Sequence, residues 1–131
     1  MMKRLQPLEK PPITHSQLVR YAGASGDFNP IHTVVPIAKK AGLDDVISHG
    51  MLVMGFAGQA LTQWFPRQNL RDFKVRFVHM THPGEKLTIT GQITEEIECA
   101  GETRMLGELV VKSDEQVKLS GIFEVVKDDN E

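Results

Sequence analysis

The sequence has one cysteine, one tryptophan and one tyrosine among 131 residues. A lone Cys99 cannot close an internal disulfide, so the fold does not depend on an oxidising compartment. An excess of charge of either sign is also missing: 15 Lys and Arg stand against 17 Asp and Glu, a net charge of -2 with pI ≈ 6.2. That balance argues against nucleic acid or an anionic membrane as the main partner, since both reward a concentrated basic face. The opening residues 1–10 hold Lys3 and Arg4 with no apolar run behind them, so no signal peptide is expected. The longest stretch without Asp, Glu, Lys or Arg is Val46–Pro66. It carries Ser48, His49, Gln59, Thr62, Gln63 and Pro66 and reads as a buried helix rather than a membrane span. No repeat of 20 to 50 residues occurs, and no Walker A, GxGxxG, GxSxG or CxxC pattern. What remains is one soluble domain over residues 1–131, expected in the cytoplasm and long enough to bury roughly two-thirds of its unfolded surface.

The chain divides into a helical first half and an alternating second half. Residues 1–12 read as an extended arm ending at Pro11-Pro12. Thr14-His15-Ser16-Gln17 has the form of a capping box and opens a helix to about Ala22. Ser25-Gly26-Asp27-Phe28-Asn29-Pro30 stops it, because Gly, Asp and Asn-Pro favour turns. Pro36 suits the first turn of a short second helix and Gly42 its end. A third helix runs from His49-Gly50 to about Gln63. It is apolar almost all round and carries Gly50, Gly55 and Gly58, so it should be enclosed, with another backbone close to the small residues.

Alternation in Phe73–His79, then in 87–93, Thr103–Val111 and Val117–Val126, marks half-buried strands. Pro83-Gly84, Ala100-Gly101 and Ser113-Asp114 supply turns between them, so a four-strand antiparallel meander is expected. Residues 127–131 read as a frayed tail. The architecture is α+β: a curved antiparallel sheet wrapped around one long central helix.

Chemistry concentrates in Tyr21–Gly50. Asp27 and His32 lie five residues apart across a turn forced by Asn29-Pro30, so both can project from one loop. A carboxylate and an imidazole within reach of one water make a general acid/base pair, although an isolated Asp-x-x-x-x-His is more often a capped loop with a packed histidine. Gly50 at the start of a buried helix presents a free N–H backed by the macrodipole, able to hold an oxyanion, or else simply permits tight packing. Met51, Met54 and Phe56 would line such a site, and Met51, Val53, Met54, Phe56 and Leu61 together suggest an adaptable apolar pocket. His79 and His82 sit three apart at a strand end without a nearby ligand of another kind, a weak case for a metal. Cys99 has no basic neighbour and reads as inert.

Tyr21-Ala22-Gly23-Ala24-Ser25-Gly26-Asp27-Phe28-Asn29-Pro30-Ile31-His32, followed by Ile47-Ser48-His49-Gly50-Met51, resembles the hydratase motif of MaoC-like (R)-specific enoyl-thioester hydratases and 3-hydroxyacyl-thioester dehydratases. The Phe73–Val78 strand and Pro83-Gly84-Glu85 resemble that family's next block. The resemblance implies a hotdog fold, a catalytic pair at Asp27 and His32, and an oxyanion donor at the Gly50 amide. Asn29, His49 and Met51 would shape the substrate site, and Met54 and Phe56 the acyl pocket. It implies hydro-lyase chemistry on acyl-CoA or acyl-carrier-protein thioesters of fatty-acid metabolism, with no metal and no other cofactor. It also implies a homodimer, or a heterodimer with a related hotdog subunit. Val34 stands where many members carry Asp, and Gly58 where some carry Ser. A hotdog thioesterase and a non-catalytic partner subunit remain as alternative readings.

Overall fold

The computed structural model describes residues 3–128. Short strands β1 (Lys3–Arg4) and β2 (Leu8–Glu9) lead to helix α1 (His15–Ser25), a 3-10 turn at Pro30–His32 and helix α2 (Val35–Lys40). Helix α3 (Gly50–Trp64), a second 3-10 turn at Arg67–Asn69 and strands β3 (Leu70–Phe77), β4 (Thr88–Cys99), β5 (Glu102–Ser113) and β6 (Gln116–Val126) complete the chain.

Local chemistry accounts for the helix ends. Thr14 accepts the Gln17 N–H at 3.1 Å, the forward half of the expected capping box. Gly26 closes α1 in the left-handed region at φ 78°, inside the expected stop, and the helix runs to Ser25, three residues past the expected Ala22. Pro36 lies in the first turn of α2, as expected from its fixed φ and missing donor.

β4, β5 and β6 form the expected meander. Its first turn has positive φ at both Ala100 and Gly101, the geometry that matches the twist of a two-residue hairpin. β3 does not join β4. The sheet order is β1–β4–β5–β6–β3, with β2 also on β4, and β3 pairs antiparallel with β6 from Leu70↔Val125 to Phe77↔Leu119. The expected four-strand meander is thus corrected to three strands plus a crossover. Pro83-Gly84 does turn the chain, but the local turn signal carries no information about which strand β3 will meet.

Residues 3–12 of the expected arm run along the free side of β4, through Lys3↔Ile93 and Leu8↔Ile89 and through the Leu5 N–H on Gly91 O at 2.9 Å. At the other end, Lys127 N–H bonds Thr103 O at 2.9 Å, while 129–131 of the expected tail lie outside the described residues.

The core lies between α3 and the sheet. Leu52, Val53, Phe56, Ala57, Ala60 and Leu61 of α3 are buried with Ile89, Leu109, Leu119 and Phe123 of the strands. Each large apolar side chain so removed from water contributes about 1.5–3 kcal/mol. This is the α+β hotdog arrangement. One expectation fails: α3 is not enclosed all round. Met51 and Gly55 are exposed, and a Cβ at Gly55 or Gly58 would meet nothing within 4 Å, because the sheet of one chain covers only one side of the helix. Among the described residues no helix is long and apolar enough to cross a membrane.

Candidate functional site

Between α1 and the 3-10 turn, side chains grip the backbone two residues ahead in a relay. Ser25 Oγ accepts the Asp27 N–H at 3.1 Å, Asp27 Oδ1 accepts the Asn29 N–H at 3.2 Å, and Asn29 Oδ1 accepts the Ile31 N–H at 3.2 Å. These are the turns that short polar side chains favour. The Asp27 carboxylate is thereby divided: Oδ1 shapes the loop and Oδ2 faces His32 Nε2 at 3.8 Å.

His32 is buried, and its Nδ1 lies 2.8 Å from Ile47 O. A carbonyl only accepts, so Nδ1 carries a hydrogen, and Nε2 is the ring nitrogen turned toward Asp27. The 3.8 Å gap exceeds a hydrogen bond, and one water oxygen fits about 2.8 Å from both groups. Asp27 keeps a half-exposed side chain, so water reaches the pair.

His49 is the N-cap of α3 and is 2 % exposed. Its Nε2 donates to Asp27 O at 3.1 Å, and its ring stacks on His32 at 3.9 Å between centroids and meets Tyr21 edge-on at 4.8 Å. His49 Nδ1 is buried without a partner among the described residues, a cost of about 1–3 kcal/mol. The ring therefore acts as a wedge that fixes the Asp27 backbone and the His32 plane together. One ligand atom from each of Asp27, His32 and His49 lies within 4.8 Å of the others. The two imidazoles are inclined by only 25°. Their in-plane lone pairs therefore run side by side rather than converging on a point about 2.0 Å from each, as a metal requires.

α3 begins at Gly50, so the first amides of the helix, with the positive end of its dipole, open beside this pair. The Phe77 ring covers the glycine, and a Cβ there would lie 3.2 Å from Phe77 Cε1. A cavity of about 270 Å³ is lined by His32, Gly50, Val53, Phe77, Met80 and Lys118, among others. A larger hollow of about 820 Å³ lies over the strands among Arg4, Lys74, Arg76 and Lys112. It contains no histidine and no residue of the Tyr21–Gly50 segment, so the smaller cavity is the one with chemistry.

A family model, the MaoC like domain, matches residues 3–116. The chain belongs to the MaoC-like family. A fatty acid synthase subunit beta of Aspergillus oryzae is 36% identical over 85 residues, 62% of this chain and 4% of that protein. A probable enoyl-CoA hydratase 2 of Dictyostelium discoideum is 30% identical over 83 residues, 61% of this chain and 28% of that protein. This MaoC-like chain therefore spans a small part of the curated relatives it matches. In three dimensions it superposes on an (R)-hydratase from A. caviae involved in PHA biosynthesis with a TM-score of 0.79. That match has 19% identity and covers 94% of this chain and 92% of the other.

Of the residues singled out in the sequence, Asp27, Asn29, His32, His49 and Gly50 come together. His32 and Gly50 line the cavity, His49 and Asn29 build its loop, and Asp27 stands over His32. Met51, Met54 and Phe56 do not line it. Met51 is 60 % exposed, Met54 packs half-buried on the core, and Phe56 is a core residue with the Lys10 ammonium 4.9 Å from its ring centroid. Of the five apolar α3 residues expected to form a pocket, Val53, three residues after Gly50, is the one that lines the cavity. Sequence reasoning missed Phe77, Met80, Thr81 and Lys118. Phe77, at the end of a predicted strand, and Pro83-Gly84-Glu85 were the available signals. His82 also lies near an acid, with Nδ1 4.0 Å from Glu85 Oε2.

Proposed function

We propose that the chain adds water to trans-2-enoyl thioesters, or removes it from (R)-3-hydroxyacyl thioesters, carried on CoA or acyl-carrier protein in fatty-acid metabolism. The observation that carries this reading is the pair Asp27 Oδ2 and His32 Nε2, 3.8 Å apart, beside a cavity that also holds the Gly50 helix start. Membership of the MaoC-like family and the likeness to an enoyl-CoA hydratase support it.

Water bridges the pair and donates one O–H to each group. As its oxygen attacks C3, its proton passes to His32 Nε2, and Asp27 holds the other hydrogen and offsets the charge on the imidazolium. Electron density moves onto the thioester oxygen, where the Gly50 N–H and the helix dipole receive it. The His32 Nε2–H then delivers its proton to C2. The oxygen adds at C3 and hydrogen at C2, His32 returns to neutral, and no electron is gained or lost. The (R) outcome follows from the motif's resemblance.

We further propose that the working unit is a dimer, with itself or with a related hotdog subunit. The outer edge of β3 has no strand partner among the described residues. Phe77, Val78 and Met80 are about half exposed next to it, and α3 leaves Met51 and Gly55 uncovered. The test of both readings is loss of enoyl absorbance with crotonyl-CoA and longer trans-2-enoyl-CoAs, run beside sedimentation of the purified protein. Asp27→Asn and His32→Ala should each cost about 10²–10⁴ in kcat. Turnover that survives both substitutions overturns the site; a folded dimer inert on every chain length points to a missing subunit or carrier.

A further inference from the structure

Lys118 of β6 is the least expected charge in the molecule. It is 1 % exposed and lines the cavity beside His32 and Gly50. An ammonium has three hydrogens to donate. All three have acceptors here: Met80 O at 2.7 Å, Glu85 Oε1 at 2.9 Å, and Gln116 Oε1. No hydrogen is left for a substrate, so the ammonium binds none.

What it holds is the segment 78–85, whose first four residues, Val78, His79, Met80 and Thr81, line the cavity with Gly50. Lys118 O takes the Val78 N–H at 2.9 Å, so one residue grips the start of the segment by its backbone and the rest by its side chain. Glu85 Oε2 takes the His82 N–H at 2.8 Å and closes the far end. The next link is Thr81, buried, whose carbonyl accepts the Ser48 N–H at 2.7 Å. Ser48 stands between Ile47, whose carbonyl fixes the His32 ring, and His49, the N-cap of α3.

We propose that the pair of buried Lys118 and partly buried Glu85 is a positioning device, setting the 78–85 segment so that Ser48, and through it both the His32 ring and the Gly50 amide, are held for reaction. The role assigned to those two groups rests on the hydratase reading above; the mechanical linkage does not. Burial works to raise the Glu85 pKa, but the His82 N–H and the Lys118 ammonium outweigh it and keep the carboxylate charged.

The test uses Lys118→Met and Glu85→Gln in the full chain, with Lys86→Met, an exposed neighbour carrying the same charge change, as control. Amide hydrogen exchange is read at Ser48 and at Leu109 in the core, together with kcat and KM on crotonyl-CoA. The expected result is Ser48 exchange at least tenfold faster in both variants, Leu109 unchanged, kcat down tenfold or more and KM within threefold. The control should match the unaltered chain. If Lys118→Met does not fold, Glu85→Gln carries the test alone. Unchanged Ser48 exchange in folded Glu85→Gln overturns the proposal, as does accelerated exchange with full kcat. If the unaltered protein has no hydratase activity, the exchange data alone decide the linkage and the hydratase reading fails separately.

Discussion

The two edges of the sheet are treated in opposite ways. On the β4 side, the N-terminal arm lies along the strand and covers its unpaired groups, and Trp64 seals the join by donating to Gln6 O at 2.6 Å. On the β3 side nothing among the described residues pairs with the edge, and Phe77, Val78 and Met80 face out beside the cavity. An uncovered strand edge invites pairing, and proteins ordinarily blunt it. A chain that blunts one edge with its own residues 3–12 and leaves the other bare separates stability from assembly: the first edge is finished within the chain, and the second is the one the proposed dimer would use.

The largest effect should come from the open edge. Phe77→Asp places a charge there and removes the ring over Gly50, so sedimentation should show monomer and turnover should fall about a hundredfold or more. A dimer that survives with full activity would erase the distinction between the edges. The covered edge should respond in stability alone. A Cβ at Gly91 would lie 2.7 Å from Trp64 and 3.3 Å from Glu108 O, so Gly91→Val should cost about 1–3 kcal/mol in denaturant unfolding while the folded variant keeps the kcat of the unaltered chain in the proposed reaction.

Gly50→Ala sharpens the open side. The added methyl meets Phe77 at 3.2 Å, and kcat/KM should drop about tenfold with little change in melting temperature. Phe77→Leu in the same chain should recover part of the loss.

A smaller effect is set by pH. Glu85 titrates below the ordinary glutamate value of 4.5 in the folded chain. Its contribution is therefore complete above 4.5 and is lost as pH falls through the lowered value. Acid unfolding curves of Glu85→Gln should lack that portion of the decline. The smallest effect belongs to Lys74→Ala on β3. Its pair with Asp72 spans 3.7 Å at a 72 % exposed side chain, and its loss should change stability by less than about 0.5 kcal/mol.

Much of the site was legible because its logic is local. Asp27, Asn29 and His32 lie within six residues, and the side-chain-to-backbone relay that holds them depends on residue type at two-residue spacing. Gly50 was legible as the break between a polar loop and an apolar helix. Phe77, Thr81 and Lys118 were not. A lysine in an alternating strand looks like a solvent-facing residue, and its burial depends on the distant Glu85 carboxylate and Met80 carbonyl as well as on neighbouring Gln116. The acyl-pocket residues expected on α3 show the same limit: apolarity marks a helix for burial without saying which side meets the cavity.

The sequence by itself determined the helices and their caps, the hairpins at Ala100-Gly101 and Ser113-Asp114, and the Asp27–His32 loop. Each depends on interactions a few residues apart, where propensity and turn chemistry act. Only the tertiary structure decided that β3 pairs with β6, that the arm covers β4, that one side of α3 stays open, and that Lys118 stands behind the site. Those outcomes depend on which surfaces meet across tens of residues of chain, and there the apolar pattern fixes only that a face is buried, while packing selects its partner.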